Sequence, residues 1–207
     1  MRISCPGFAR ILDAKGRYAL LINKSREEAE ESRRVFTPIG GALKLKSLAY
    51  KQDLIKTFGA HSFEKGLDLR FQVPDSMVSE INRWIRSPLG LKMREISAAR
   101  EVDEEVVTKE NQILSPWDLE TASEEFGHFC YHSAEKQDFP EPGQKTLTHY
   151  IVEVYDWTFA TAEPLAKLQR AAEGPNPRVY FASEAEIRRC RTNTKEEIGD
   201  ISKALLR

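Results

Sequence analysis

Residues 93–107 read MREISAAREVDEEVV, and no other stretch constrains the chain as strongly. The segment has no proline or glycine and carries two alanines, which predicts a helix across it. At about 100° per residue, Ile96, Ala99, Val102 and Val106 gather into one apolar stripe. Glu101, Glu104 and Glu105 gather on the opposite side, because spacings of three and four residues bring helical side chains together. Three carboxylates on one patch repel each other, so either water screens them or a cation neutralises them. Hard divalent cations such as Mg²⁺ take oxygen ligands of this kind. The ordinary alternative is a solvated acidic face.

The chain around this segment is that of a globular protein. Its 207 residues suit one domain with an insertion better than two full domains. A hydrophobic share of 41% beside a charged share of 30% excludes the disordered classes. A net charge of -1 means that no global basic field announces a nucleic-acid partner. No apolar run reaches the roughly 18 residues that a membrane helix needs, and residues 1–6 lack the apolar core of a signal peptide. A cytoplasmic protein without membrane contact is therefore expected. Cys5, Cys130 and Cys190 are an odd count without CxxC spacing, which reads as reduced thiols.

In chain order, residues 8–12 and 18–22 read as strands of a β-hairpin, turning through Asp13 to Gly16. Residues 25–34, SREEAEESRR, read as a charged loop or helical turn, in which Arg33 or Arg34 is available to face a ligand. Residues 35–43 hold Thr37-Pro38-Ile39-Gly40-Gly41, read as a strand that ends in a turn. Glycines suit such a place because the backbone can approach a ligand without a Cβ in the way. Residues 47–58 read as a helix ended by Gly59, residues 67–73 as an alternating strand, and Asp75 as the N-cap of a helix through Ile85. Ser87-Pro88-Leu89-Gly90 then breaks the chain.

Beyond the acidic helix, residues 126–133 read as a half-buried strand with His128, Cys130 and His132 on one face. Zinc normally takes four ligands, and a fourth is not evident. A loop over 134–145 follows, with Glu135, Asp138 and Glu141 as acids. Residues 146–157 read as a strong strand in which His149, Ile151, Glu153 and Tyr155 share a face. A helix over 164–172, a strand over 178–182 and a Ser183/Glu186 capping box come next. Thr194 and Glu197 repeat that spacing before an expected terminal helix through Leu206. Phe36, Trp84, Trp117, Tyr131 and Trp157 are large enough to stack on a base, although core packing is the ordinary role of each. Arg83, Arg86 and Lys92 are basic side chains able to meet phosphates, although a solvated surface is the ordinary role of each.

The acidic segment resembles the Nudix hydrolase box, whose helix reads R-E-(aliphatic)-x-E-E-x-G-(aliphatic). Arg100, Glu101, Val102, Glu104 and Glu105 match, Ser97-Ala98-Ala99 fills the usual small-residue run, and Glu95 stands where that family often has a glutamate. The Pro38–Gly41 stretch is similar to the P-G-G turn before the family's catalytic loop. There are departures. About forty-five residues, 45–90, intervene as an inserted subdomain or lid; the glycine fourteen before the motif arginine is here Arg86; the glutamate eight before it is Lys92; and the small residue after the glutamate pair is Val107. The long insertion, the altered front half of the box and the ending RVYFASEAEI look similar to Nudix domains associated with bacterial SMODS-type nucleotidyltransferases in anti-phage defence.

The resemblance implies an α/β fold: a Nudix-type α/β/α sandwich around a mixed β-sheet, with a small inserted α+β subdomain. It implies a pyrophosphohydrolase acting on a nucleoside diphosphate-linked or other nucleotide, through water activated at a Mg²⁺ or Mn²⁺ site. Glu101, Glu104 and Glu105 would bind the metal, with a backbone carbonyl of Gly40 or Gly41 in the shell. Glu104 or Glu105 would be the general base, and Arg100 would orient a carboxylate. Gly40 and Glu153 would meet substrate. A small-molecule nucleotide is the implied partner, and a homodimer the implied assembly. A nucleotide-sensing module of the same fold is the alternative, and an unrelated α/β domain with a solvated acidic helix is a third.

Overall fold

The structure, a computed structural model, describes residues 1–23, 34–108, 112–137 and 145–206. Arg33, Asp138 and Glu141, among the candidates above, lie outside the described residues. The elements in chain order are β1 (Arg2–Ser4), β2 (Pro6–Arg10), β3 (Tyr18–Ile22), β4 (Val35–Ala42), α1 (Leu48–Phe58), β5 (Arg70–Gln72), a 3₁₀ turn (Asp75–Met77), α2 (Val78–Ile85) and α3 (Pro88–Met93). They continue as α4 (Ala99–Asp103), a π turn (Glu104–Thr108), α5 (Pro116–Glu120), β6 (Ala122–Gln137), β7 (Lys145–Phe159), α6 (Glu163–Ala171), β8 (Val179–Ala182), α7 (Glu184–Arg188), β9 (Glu197–Ile198) and a 3₁₀ helix (Asp200–Leu205). Parallel and antiparallel pairs both occur, so the expected mixed α/β architecture is what forms.

The chain divides into two compact units. The first comprises Met1–Gly7, Gly41–Ala98 and His128–Glu153. In it β1 lies between β5, antiparallel, and β7, parallel, with Ile3 opposite Phe71 on one side and His149 on the other. Its core is Ile3, Leu43, Leu54, Leu69, Phe71, Ile81, Ile85 and Ile151, all without solvent contact. The helix α1 forms where predicted. Ser47 accepts from the Tyr50 amide, and Gly59, at φ 65°, closes the C-terminus with its N–H on Ile55 and Leu54.

The residues expected to be inserted leave and return at one place. The Lys46 amide donates to the Met93 carbonyl at 2.9 Å, and the Glu95 amide donates to the Lys44 carbonyl at 2.8 Å. The Lys44 amide in turn donates to Glu95 Oε2 at 2.8 Å. Leu45 and Arg94 therefore face each other in an antiparallel bridge. The long excursion is closed at its neck by backbone bonds, so the segments on either side of it remain neighbours.

Several local expectations change inside this unit. Asp75 does not cap α2; it sits within the 3₁₀ turn and pairs with the Met1 amine at 2.7 Å. The strand expected over 67–73 shortens to Arg70–Gln72 where it pairs with β1, while Leu67 and Leu69 bond instead with Leu45 and Leu43. The break expected at Ser87-Pro88-Leu89-Gly90 is confined to Arg86 and Ser87, between the end of α2 and the start of α3. Ser87 accepts from the Gly90 amide and starts α3, with Pro88 in the first turn where its missing N–H costs nothing.

The second unit comprises Phe8–Gly40, Ala99–Gly127 and Val154–Arg207. Its strand order is β2-β4-β3-β8, with β9 added on β4. The turn after β2 is as predicted, with the Gly16 amide on the Asp13 carbonyl at 2.9 Å. The simple hairpin is not, because β4 lies between β2 and β3. β3 fills both its edges, with Leu21 opposite Thr37 on β4 and opposite Val179 on β8. Thr37 to Gly41 stay within β4 rather than forming a turn. The capping box of Ser183 and Glu186 forms at α7. The expected terminal helix does not form at Thr194, whose hydroxyl donates to Glu196; β9 and a 3₁₀ helix take its place.

Candidate functional site

The acidic segment is helical over a shorter span than its composition predicts. Arg94 is extended, at φ -130° and ψ 171°, because its backbone is committed to the bridge with Leu45. Helix α4 therefore starts at Ala99. Ile96 is 54% exposed, and Ala99 is also exposed. The buried stripe is instead Ala98, Val102 and Val106, joined by Val107. From Glu104 the helix widens into a π turn, a form often found at functional positions and one that nothing in the residue types announces.

The three glutamates face outward from that stripe and are each held. Arg100 Nη1 donates to Glu101 Oε1, and also to Glu104 Oε1 at 3.1 Å. One guanidinium thus spans both carboxylates. Glu105 Oε2 accepts from the Gly40 amide at 2.7 Å. Gly40 stands at φ 131°, a backbone conformation that a side chain would oppose, and it is buried in β4. The glycine next to the acidic helix is thus in place, but it offers its N–H to Glu105. Gly41 follows in the same strand, half-buried.

Among the described residues, no three His, Cys, Asp or Glu side chains converge as metal ligands. The donor chemistry of Glu101, Glu104 and Glu105 fits a hard divalent cation, since all are carboxylates on one face within little more than one turn. In this arrangement Arg100 supplies the positive charge that two of them need.

The first unit carries Glu153, expected to meet substrate. It is 1% exposed and its Oε1 pairs with Arg94 Nη2, itself fully buried. Its carboxylate is thus placed in an internal ion pair. Nothing in the residues of MREIS marks Arg94 for burial. Glu135 is exposed on β6. His128, Cys130 and His132 form the half-buried face expected of that strand, with the His132 ring 5.9 Å from Tyr150.

The aromatic candidates divide. Phe36, Trp84 and Trp157 are buried core residues, whereas Trp117 is 70% exposed and Tyr131 42%. Arg86 lies over the Tyr131 ring at 5.6 Å, and Arg83 pairs with Glu80 at 2.7 Å. Lys92 is exposed at the end of α3, and Arg34 pairs with Glu196 at 2.9 Å. No helix among the described residues is long and apolar enough to cross a membrane.

Comparison with known proteins gives one family. A family model described as the SMODS-associated NUDIX domain matches residues 1–206, a span that runs through 45–90 as well as the acidic box. No curated protein and no solved structure matches the chain. With Arg100, Glu101, Glu104 and Glu105 arranged beside Gly40 and the match spanning nearly the whole sequence, the chain belongs to the family of SMODS-associated NUDIX domains.

Proposed function

We propose that the protein is a metal-dependent hydrolase that cleaves a phosphoanhydride bond in a nucleoside diphosphate-linked or related nucleotide. The observation that carries the reading is the 2.7 Å bond from the Gly40 amide to Glu105, which joins the glycine strand to the acidic helix despite the long excursion between them. Membership of a NUDIX family supports the hydrolase class, and its SMODS-associated description supports a place in bacterial anti-phage defence, with a nucleotide-derived signal as the substrate class. A homodimer in the cytoplasm is part of the same reading.

Glu101, Glu104 and Glu105 would hold Mg²⁺ or Mn²⁺, with a carbonyl of Gly40 or Gly41 beside them. A bound ion of this type neutralises phosphate charge and lowers the pKa of a coordinated water. The chain's own residues do the rest. The Gly40 amide fixes the rotamer of Glu105. Arg100 keeps Glu101 and Glu104 turned toward one place by charge-assisted hydrogen bonds, and with a cation bound it would still orient one of the two carboxylates. Glu104 or Glu105 takes the proton from the attacking water.

The test is product release from NTPs, dNTPs, ADP-ribose, NAD, dinucleoside polyphosphates and cyclic oligonucleotides, with Mg²⁺ and with Mn²⁺. Glu104→Gln/Glu105→Gln should lower turnover about 100-fold or more. A second reading, a nucleotide sensor without turnover, is favoured by Arg100 spanning Glu101 and Glu104 and by Arg86 and Lys92 in the front half of the box. Ligand-induced thermal stabilisation with no turnover under either metal would select it.

A further inference from the structure

Two side chains whose residue types suit stacking and phosphate meet on the surface of the first unit. The Tyr131 ring, on β6, is 42% exposed. The Arg86 guanidinium, at the end of α2, stands 5.6 Å from the centre of that ring. The His149 ring, on β7, lies beside Tyr131 at 5.9 Å and only 13° from parallel. All three residues belong to one compact unit, as do the groups that hold them.

The cluster is held in place by its own neighbours. His149 Nε2 donates to Asn82 Oδ1 at 3.0 Å, and its Nδ1 accepts from the Ser133 hydroxyl at 3.2 Å. With one ring nitrogen donating and the other accepting, the imidazole is neutral. Burial acts in the same direction and pulls its pKa below the ordinary histidine value. Arg86 is anchored through Nε, which donates to the Asn82 carbonyl at 3.2 Å. Asn82 therefore places both neighbours of the tyrosine.

Two features of this cluster are left unanswered by the fold. A large part of the Tyr131 ring faces solvent, where a flat apolar face is able to stack. The charge of Arg86 is also uncompensated. Its neighbour Arg83 pairs with Glu80 at 2.7 Å, but among the described residues Arg86 has no carboxylate partner. Its two Nη groups remain as donors in a fixed fork. A flat ring beside such a guanidinium suits a ligand that joins a flat ring to an anion. A nucleotide has both: its base stacks on aromatic side chains, and its phosphate takes a guanidinium fork. The charge also limits the size of the ligand. A nucleic-acid strand is held through several phosphate contacts, whereas Arg86 is one cation in a chain of net charge -1.

We propose that Tyr131, His149 and Arg86 form a mononucleotide-binding platform on the first unit, with the base stacked on Tyr131 beside His149 and the phosphate on Arg86. This goes beyond the hydrolase reading, because Glu101, Glu104 and Glu105 belong to the second unit and take no part in it.

The test titrates AMP into the isotope-labelled full chain and follows amide shifts by NMR. A chelator is present throughout, so metal-dependent binding and turnover play no part in the result. AMP should shift the amides of Asn82, Arg86, Tyr131 and His149 saturably at millimolar concentration. Adenosine, which lacks the anion, and ribose phosphate, which lacks the base, should each bind about tenfold more weakly. Tyr131→Ala should weaken AMP about tenfold, and Tyr131→Phe, which keeps the ring, should bind like the parent. Arg86→Gln should abolish the preference for AMP over adenosine. The absence of saturable shifts at these residues overturns the proposal, as does a folded Tyr131→Ala with parental AMP affinity. If Tyr131→Ala does not fold, an Arg86→Gln variant that still prefers AMP to adenosine overturns it. A single-stranded oligonucleotide that binds the same residues about tenfold more tightly than AMP overturns the assignment to a mononucleotide.

Discussion

Gly90→Ala sets two known effects against each other. In an exposed helix the change would stabilise the protein by about 1 kcal/mol, since glycine is a poor helix former. Here a Cβ on Gly90 would stand 2.0 Å from the Trp84 carbonyl oxygen and 2.9 Å from its carbon. The obstacle is backbone and cannot rotate aside, so the end of α2 has to retreat by about 1.4 Å to reach ordinary contact. Trp84 and Ile85 behind it are buried. Overpacking of this kind costs about 1–3 kcal/mol. The retreat also stretches the two bonds from Arg94 to the Ile85 carbonyl, each a charged donor contributing about 1.5–3 kcal/mol. Even partial loss there outweighs the gain in propensity. The expected net destabilisation is about 2–3 kcal/mol, and at roughly 2–4 °C per kcal/mol the melting temperature should fall by about 4–12 °C. Thermal unfolding followed by circular dichroism reads this directly. A variant that melts at or above the parent temperature would refute the close approach of α3 to α2.

Other outcomes follow from the same geometry. The buried Cys5 thiol, held up at about 12, should label with a disulfide reagent only as fast as the protein unfolds, while the half-buried Cys130 and Cys190 label first; mass spectrometry of the labelled peptides gives the order. Burial works to raise the Asp118 carboxyl, but the Lys167 ammonium at 2.6 Å and the bonds from Ser115 outweigh it and hold the carboxyl below the ordinary aspartate value. A lowered folded-state pKa contributes stability that is present above the unfolded pKa and lost as pH falls through the folded one. Asp118→Asn should therefore flatten the acid limb of the melting temperature below about pH 4, and an unchanged acid limb would count against the pair. The loss expected of Glu104→Gln/Glu105→Gln completes the set.

The elements whose signals are local were readable from residue order. Ser47 and Gly59 bracket α1, Ser183 with Glu186 starts α7, and the Asp13 to Gly16 turn forms, because each depends on side chains within a few positions of one another. The acidic face of the box was readable for the same reason. Its helix start was not: Ile96 fits the apolar period, yet Arg94 pairs with Leu45, forty-nine positions away, and keeps the lead-in extended. The break expected at Ser87-Pro88-Leu89-Gly90 does end α2, but it is only two residues long, because Ser87 caps α3 at once.

Residue types therefore determined which groups this protein has to work with: three carboxylates and an arginine on one short helix, and a glycine pair upstream. Tertiary structure alone decided how they are joined. The neck between Lys44–Lys46 and Met93–Glu95 cancels the sequence distance across the excursion. The Gly40 amide selects Glu105, and a buried arginine claims Glu153. Such contacts link positions far apart in the chain, and their free energy depends on burial and direction, which no local pattern of residue types encodes.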